Sequence, residues 1–368
     1  MRKISKDNKI LVAMSGGVDS SVTAALLKDQ GYDVTGAYMV NFDSTDNDIY
    51  DEDDLDLECW RGDYRDAVRV AAHLDIELLR FDFKEEYRDF VLDYMFEEYK
   101  AGRTPNPDVL CNKSVKFGAW LKEARDRGFD KLATGHYARI EKRDDDYHLM
   151  QAEDKDKDQT YFLHQLSQDQ IKDAVFPLGE YKKEKVRELA EEYELPTADR
   201  EESMGICFVG EVPMDEFLKN KIEEDPGPIV QDETGEQIGE HDGLMFFTIG
   251  QRRGIDQEGG DKPRYVIEKD FENNKLIVGY EDNPKLYTKQ ARLEKLNWIS
   301  GQKPVSPLTC KARIRHRQEL QNCEVKEEED GEIIVEFEEK QRAVTPGQFC
   351  VFYKGQECLG GGVVSERK

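Results

Sequence analysis

Short apolar runs alternate with amphipathic stretches through the first third of the chain. Strands are predicted at 10–13, 34–38, 78–81 and 131–134. Helices are predicted between and after them, at 21–30, 64–74, 85–100 and 115–127. Strand–helix alternation at this spacing indicates βαβ units on a parallel sheet that is covered on both faces. The predicted fold class is therefore α/β, with a doubly wound parallel sheet.

The pattern changes after residue 138. A hairpin is predicted at 139–151 around Asp144-Asp145-Asp146, and a helix at 182–193 that ends before Pro196. Beyond about residue 215 the short apolar runs are separated by turns, which is typical of small β domains or barrels. The runs in question lie at 244–249, 265–268, 275–278, 310–317, 332–337, 349–353 and 361–364. A chain of 368 residues exceeds one typical core. We predict domains at 1–215, 216–288 (small and mainly β) and 289–368 (a β-barrel).

Composition narrows the class of protein. No run of about 20 apolar residues is present, so no membrane span is predicted. Met1–Lys9 is short, polar and charged, unlike a signal peptide, which predicts a cytoplasmic protein. Seven cysteines without a CxxC pair argue against a disulfide framework and a zinc ribbon. No protein-bound metal site is predicted.

The chain is strongly acidic. Its 53 Lys and Arg stand against 79 Asp and Glu, a net charge of −26. Such a surface repels RNA and DNA in dilute buffer, although a salt-rich cytoplasm would screen the repulsion. The alternative is a mesophile whose acidic surface has no consequence. The densest acidic stretch, 43–58, has nine carboxylates and no Lys or Arg, and is interpreted as a solvated loop.

Polar residues and glycines follow the first predicted strand. The segment Ser15-Gly16-Gly17-Val18-Asp19-Ser20 leads directly into the first predicted helix. A strand, a glycine turn and a helix start point backbone N–H groups at whatever lies above them, and phosphate is the usual ligand. The Lys-Ser/Thr of a Walker A sequence is absent, so a P-loop NTPase is a poor match.

Eight segments together resemble one family. Ser-Gly-Gly-x-Asp-Ser resembles the loop of the ATP pyrophosphatases, and Asn106-Pro107-Asp108-Val109-Leu110-Cys111 resembles the catalytic segment of the tRNA-specific 2-thiouridylases within that superfamily. The other matching segments follow in order at 133–139, 157–159, 205–208, 249–254, 346–348 and 358–362. The resemblance spans nearly the whole chain and implies that 1–215 is an ATP-pyrophosphatase domain.

The resemblance implies a reaction. ATP, with Mg²⁺, would adenylate the C2 oxygen of the wobble uridine (position 34) of tRNA, and sulfur would replace that oxygen to give 2-thiouridine. Two cysteines suffice for sulfur delivery, since one carries a persulfide and the other attacks it and leaves a disulfide. By resemblance Cys207 is the carrier and Cys111 the nucleophile, so the pair would form a transient disulfide. Asp108 would move protons or contact the base.

The family's binding residues transfer to this chain position by position. The implied ATP contacts are Ala13, Met14, Ser15, Gly16, Gly17, Val18, Asp19, Ser20, Met39 and Gly135. The implied contacts to tRNA or its target base are Asn106, Pro107, Asp108, His136, Lys157, Asp158, Gln159, Arg252, Arg253, Arg315, His316 and Gln348. Met39 is nearly as well explained as a core residue, and His136 as a structural histidine.

Two further expectations concern the basic residues. Alternation through 313–317 predicts three arginines on one strand face. Lys182, Lys183 and Lys185 are weaker candidates for RNA contact, because Glu184 and Glu188 lie beside them.

Expected partners are tRNAs for lysine, glutamate and glutamine, and a cysteine desulfurase or a sulfur-relay protein; DNA is not expected. One alternative is another ATP-pyrophosphatase activity, such as an amide-forming synthetase or a tRNA lysidine-type ligase, which needs no paired reactive cysteines. Others are an RNA-binding protein that uses ATP only structurally, and an iron–sulfur thiolase, which would favour clustered cysteines.

Overall fold

A computed structural model describes residues 4–42, 59–201, 214–255, 262–329 and 331–368. The acidic stretch 43–58 and Cys207 lie outside these ranges. The strands are β1 (Lys9–Ala13), β2 (Asp33–Val40), β3 (Leu78–Asp82), β4 (Lys131–Ala133), β5 (Ala138–Arg143), β6 (Asp146–Gln151), β7 (Ala174–Val175), β8 (Gly227–Gln231), β9 (Gln237–His241), β10 (Tyr265–Asp270), β11 (Lys275–Gly279), β12 (Tyr287–Trp298), β13 (Leu308–Arg313), β14 (Gln321–Glu327), β15 (Ile333–Arg342), β16 (Phe349–Lys354) and β17 (Glu357–Arg367).

The α-helices are α1 (Val18–Asp29), α2 (Cys59–His73), α3 (Lys84–Tyr87), α4 (Asp93–Lys100), α5 (Pro107–Leu110), α6 (Leu121–Asp126), α7 (Thr160–Leu163), α8 (Gln168–Ile171), α9 (Lys183–Glu192) and α10 (Met214–Lys219). Wider π-helical turns at Arg88–Leu92 and Cys111–Trp120 join α3 to α4 and α5 to α6. Short 3₁₀ turns lie at Pro177–Glu180, Leu244–Phe246 and Pro284–Leu286. Among the described residues, no helix is both long and apolar enough to cross a bilayer.

The first domain is built on a parallel sheet with the strand order β3-β2-β1-β4-β7. Side chains of β1 alternate between two cores, because successive residues of a strand point to opposite faces. Leu11 joins the core under the helical stretches 84–100 and 107–126, whereas Ile10 and Val12 join the core under α1, α2 and α9. Both faces are therefore covered, which confirms the predicted doubly wound α/β fold.

Two β structures follow. Strands β10-β11-β8-β9 form a four-stranded sheet with its own apolar core. Strands β12-β15-β14-β13-β16-β17 form a six-stranded barrel that closes through the β12–β17 pairing. The β5–β6 hairpin of the first domain extends the barrel sheet, with Leu149 opposite Cys358 and Met150 opposite Glu357. The barrel is thus joined to the first domain by main-chain pairing.

Three local predictions differ from the structure. The run 244–249 is not a strand, and Leu244, Phe247 and Ile249 enter the domain core from a 3₁₀ turn and a loop. The helix expected from residue 115 begins at Pro107, where the Asn106 side chain accepts a hydrogen bond from the Val109 amide. The run 310–317 is a strand only to Arg313, so the prediction of three arginines on one strand face is wrong.

Candidate active site

The glycine loop lies at the point where the strand order of the parallel sheet reverses. Strands β2 and β3 lie on one side of β1, and β4 and β7 on the other. Ligands of open α/β sheets bind beyond the carboxyl ends of the strands at this point. Residues 14–17 follow β1 there, and Gly135 follows shortly after β4.

Serine hydroxyls and glycines set the shape of this loop. The Ser20 hydroxyl accepts a hydrogen bond from the Ser15 amide (3.1 Å) and donates to the Gly17 carbonyl (3.0 Å). The Ser21 hydroxyl donates to the same carbonyl (2.8 Å). Gly17 precedes α1 without a side-chain cap, so the first amides of the helix point toward any anion above the loop.

Two glycines of the loop region are required by close approaches. Gly16 has φ +77°, and a Cβ there would lie 2.3 Å from the Asp63 carbonyl oxygen. A Cβ at Gly135 would lie 3.0 Å from the backbone of Asp19. The loop, the start of α2 and the end of β4 therefore meet at one place. The shape fits a phosphate-binding cradle, which is what the ATP prediction requires.

The Asp19 carboxylate has two donors from distant segments. Lys183 Nζ lies 2.8 Å from Asp19 Oδ1, and the Tyr137 hydroxyl lies 2.9 Å from the same atom. The Lys183 side chain is only 13% exposed. The sequence suggested Lys183 as a weak RNA contact, but the structure directs its ammonium at the glycine loop.

Arg200 holds the same loop from the other side. Its guanidinium donates to the Gly16 carbonyl (3.0 Å) and to Asp66 (2.7 Å), and it also pairs with Asp63. Burial raises the pKa of the Asp63 carboxyl, although Arg200 opposes that shift. Sequence reasoning missed Arg200, because an arginine between Asp199 and Glu201 resembles an ordinary surface residue.

Met39 and His136 occupy partly structural positions. The Met39 side chain is buried in the core between β2 and the helices, as its alternative interpretation expected. The His136 ring packs against Phe117 and Phe176, and its Nδ1 lies 2.7 Å from the Thr134 hydroxyl. Desolvation, with a smaller contribution from Lys116, lowers the pKa of His136 well below its usual value, so the ring is neutral at neutral pH.

The segment around Cys111 forms a second loop, here called the base-side loop (residues 101–111). Asn106 has extended backbone angles and caps α5, as expected between two prolines. Cys111 begins the π-helical turn and is 1% exposed, whereas Asp108 is half-buried. Cys207 lies outside the described residues, so the predicted Cys111–Cys207 disulfide stays a prediction.

Asp158 lies inside the molecule, in contrast to its expected contact with tRNA. Its carboxylate pairs with Arg313 of the barrel and accepts hydrogen bonds from the Thr160 hydroxyl (2.8 Å) and the Ala152 amide (3.1 Å). Both side chains of the ion pair are at most 5% exposed. This pair joins the first domain to the barrel and offers no surface to RNA in this arrangement.

Lys157 and Gln159, on either side of Asp158 in the sequence, are less buried than Asp158. Lys157 is half-buried, and the Gln159 side chain accepts a hydrogen bond from the Tyr137 amide (2.9 Å). Gln159 thereby connects this segment to the tyrosine that holds Asp19.

The remaining predicted RNA contacts lie on the barrel and the central domain. Arg252 and Arg253 are exposed. The Arg315 guanidinium donates to the Arg342 carbonyl (3.2 Å), and His316 packs on Phe162 with ring centroids 4.5 Å apart. Desolvation, helped by nearby arginines, lowers the pKa of His316 to about 4. These two residues are therefore half-buried at the edge of the barrel.

Gln348 faces the base-side loop. Its amide nitrogen donates to the Thr104 carbonyl (2.8 Å) and to the Pro105 carbonyl (3.2 Å). Thr248 of the central domain, which sequence reasoning missed, meets the Thr104 hydroxyl at 3.0 Å. The signal for Thr248 was its place directly before the matching segment 249–254.

Three protein-family models match consecutive parts of the chain. The family models that match are the "tRNA methyl transferase HUP domain" over residues 8–211, the "tRNA methyl transferase PRC-barrel domain" over 215–280 and the "Aminomethyltransferase beta-barrel domain" over 288–364.

Relatives match over nearly their full length. The chain is 47% identical to the tRNA-specific 2-thiouridylase MnmA of Shouchella clausii, covering 98% of this chain and 97% of the relative. It is 44% identical to the protein of the same name from Bacillus subtilis, covering 100% and 97%. The solved NMN synthetase of Francisella tularensis aligns with 58% of this chain and 75% of its own, at TM-score 0.34 and 16% identity, too weakly to bear on function.

Proposed function

Because the chain belongs to the tRNA-specific 2-thiouridylase family, we propose that it is an ATP-dependent enzyme that thiolates uridine in tRNA. The finer proposal is that the target is C2 of the wobble uridine and that the reaction runs through an adenylated uridine and a cysteine persulfide. The observation that carries it is the glycine loop at the switch point of the sheet, with a segment matching the family's catalytic Asn-Pro-Asp-x-x-Cys pattern elsewhere in the same domain.

The nucleotide step uses the loop and its neighbours. The amides of 16–20, at the start of α1 where no side chain caps the helix, suit the phosphates of ATP. Attack of the uridine O2 on the α-phosphorus would release pyrophosphate and leave AMP on the base. The Asp19 carboxylate would hold Mg²⁺ accompanying ATP or orient the loop, and Lys183 supplies positive charge beside it.

The sulfur step uses the two cysteines. The Cys111 thiolate would attack Sγ of the Cys207 persulfide, so that the Sγ–S bond breaks and the terminal sulfur leaves as sulfide. That sulfide displaces AMP at C2, and a Cys111–Cys207 disulfide remains for a thiol reductant to cleave. Asp108 lies in the same helix start, three residues before Cys111, where it would accept or return a proton.

The proposed contacts to tRNA combine exposed and supporting residues. Arg252 and Arg253 are exposed and would meet backbone phosphates, and Arg315 and His316 line the barrel edge. The proposed substrates are the tRNAs for lysine, glutamate and glutamine, and the sulfur donor is a desulfurase or relay protein. The domain boundaries at 215 and 288 and the cytoplasmic location belong to the same proposal.

Mass spectrometry of tRNA nucleosides tests this function. Purified protein, tRNA, ATP and a sulfide source should yield 2-thiouridine together with AMP and pyrophosphate. Product should require ATP and should map to the wobble position. A lysine-containing or unmodified nucleoside, with pyrophosphate still released, would instead indicate another ATP-pyrophosphatase activity. Absence of pyrophosphate release with saturating tRNA would contradict the proposal.

A further inference from the structure

The base-side loop is held by all three domains. From the barrel, the Pro346 carbonyl accepts a hydrogen bond from the Thr104 amide (2.9 Å), and Gln348 donates to the Thr104 and Pro105 carbonyls. From the central domain, Thr248 meets the Thr104 hydroxyl. Thr104 and Pro105 are buried and their partners Gln348 and Thr248 are half-buried, so these polar contacts are partly shielded from water.

Steric contacts tighten the same arrangement. Gly347 has φ +92°, and a Cβ there would lie 2.7 Å from the Thr104 nitrogen. A Cβ at Gly102 would lie 2.1 Å from the ring of Phe271, which comes from the turn between β10 and β11. Backbone of the loop therefore lies directly against the barrel turn on one side and close to an aromatic ring of the central domain on the other.

The held segment leads directly into the helix start that carries the chemistry. Asn106 follows Pro105, caps α5 and is separated from Cys111 by only one helical turn. A shift of Thr104 and Pro105 would therefore move Asp108 and Cys111 with it. Misplacement of reacting groups by about 1 Å can cost about 10²-fold in rate.

We propose that Gln348 and Thr248 are positioning residues, which hold the backbone of 104–105 so that the helix start from Asn106 sets the positions of Asp108 and Cys111 for the sulfur step. This inference rests on the proposed function for its catalytic consequence. The direct contact between Gln348 and tRNA that the sequence resemblance implied stays a separate prediction, which the Kd for tRNA tests below. The barrel and the central domain thus have a second task besides RNA binding, which is to shape the catalytic loop.

Two near-isosteric variants test the inference. Gln348→Glu removes the amide donor and places a carboxylate oxygen opposite two carbonyl oxygens, and Thr248→Val removes only a hydroxyl. Matched controls are Gln302→Glu and Thr309→Val, which make the same changes at exposed positions of the barrel region. Thermal melting establishes that each variant is folded before any kinetic comparison.

Three readouts separate positioning from RNA contact. We expect both variants to lower kcat for thiolation about 10- to 100-fold, to leave the Kd for tRNA within about threefold of wild type, and to raise the alkylation rate of Cys111 measured by peptide mass spectrometry. The double variant should cost less than the sum of the two singles, because both act on Thr104. The two controls should match wild type.

Other results would overturn the inference. A raised Kd for tRNA in Gln348→Glu, with unchanged kcat and unchanged alkylation of Cys111, would indicate a direct RNA contact instead. Unchanged kcat in both variants would exclude the positioning role. Alkylation of Cys111 and hydrogen exchange of 102–110 need no RNA, so the loop contacts remain testable even if wild-type protein fails to thiolate tRNA and the proposed function is wrong.

Discussion

The glycine loop (residues 14–20) and the base-side loop are held in place by different sets of contacts. The glycine loop has local hydrogen bonds from the Ser20 and Ser21 hydroxyls, and three side chains from 118 to 184 positions away contact the same loop. In the base-side loop, the amides of 101–103 donate locally to the carbonyls of 97–99, whereas Thr104 is held by segments from 144 to 244 positions away in the chain. The glycine loop therefore combines local and distant contacts, whereas the backbone of 104–105 depends on the barrel and the central domain.

This difference matches the different ligands that the two loops are proposed to meet. A strand, a glycine turn and a helix start direct backbone N–H groups at one point and so suit a phosphate group. A loop that must meet one base of a large RNA gains from being tied to the domains that bind the rest of that RNA. Cys111 is then correctly placed only when the three domains are correctly docked.

The largest expected effect is the loss of sulfur transfer while the nucleotide step is retained. Cys111→Ser and Cys207→Ser should each lower desulfurase-dependent thiolation by at least about 10³-fold, because each removes one thiol of the pair. Pyrophosphate release with tRNA should persist in both variants. Cys111→Ser should also accumulate persulfide on Cys207, detectable as a mass increase on its peptide. Full 2-thiouridine formation by either variant would exclude the two-cysteine mechanism.

The ion pair between Asp158 and Arg313 gives the next effect. Arg313→Met would leave a fully buried carboxylate without its cation, at a cost of about 3–5 kcal/mol in the free energy of unfolding. Hydrogen exchange should increase at 102–106 more than at 14–20, because the barrel hydrogen-bonds directly to Thr104 but connects to Asp19 only indirectly, through Gln159 and Tyr137. The matched surface variant Lys326→Met should cost less than about 1 kcal/mol. An equal increase in hydrogen exchange at 102–106 and at 14–20 would contradict the difference between the two loops.

The variant Lys183→Met tests whether the glycine loop depends on a side chain from a distant segment. Lys183→Met should slow pyrophosphate release about 10²-fold, because it removes the charge beside Asp19. Persulfide loading and Cys111 alkylation should stay at wild-type rates, since neither needs ATP. Lys185→Met on the same helix, whose lysine pairs with Glu188 and Glu192, is the control. A wild-type rate in Lys183→Met would mean that the loop needs no distant cation.

What sequence could predict follows the same division. Periodicity located four of the five strands of the parallel sheet but not the two-residue β7, and the motif order located both loops. Long-range pairing was not predictable. Arg313 continues an alternating run in the sequence, yet it is the last residue of β13, and its side chain pairs with Asp158, 155 positions away. Lys183 and Thr248 likewise gained their roles only from partners that folding brings near.

The acidic surface yields the smallest expected effect, a change in tRNA affinity with salt. With a net charge of −26, repulsion should weaken tRNA binding in dilute buffer, so affinity should first rise a few-fold as KCl is added. Contacts to phosphate then lose affinity as salt increases further, which produces a maximum. Shape and base contacts near the base-side loop should persist at the highest salt.

Titration of tRNA binding from low to about molar KCl measures this curve. Arg252→Gln/Arg253→Gln should flatten the falling limb, because each lost phosphate contact reduces the salt slope by about one. The same double variant should leave the rising limb in place, since that limb reflects the whole surface and not two side chains. A monotonic fall in wild-type affinity from the lowest salt upward would exclude adaptation to a salt-rich cytoplasm, and the acidic surface would then have no bearing on RNA binding.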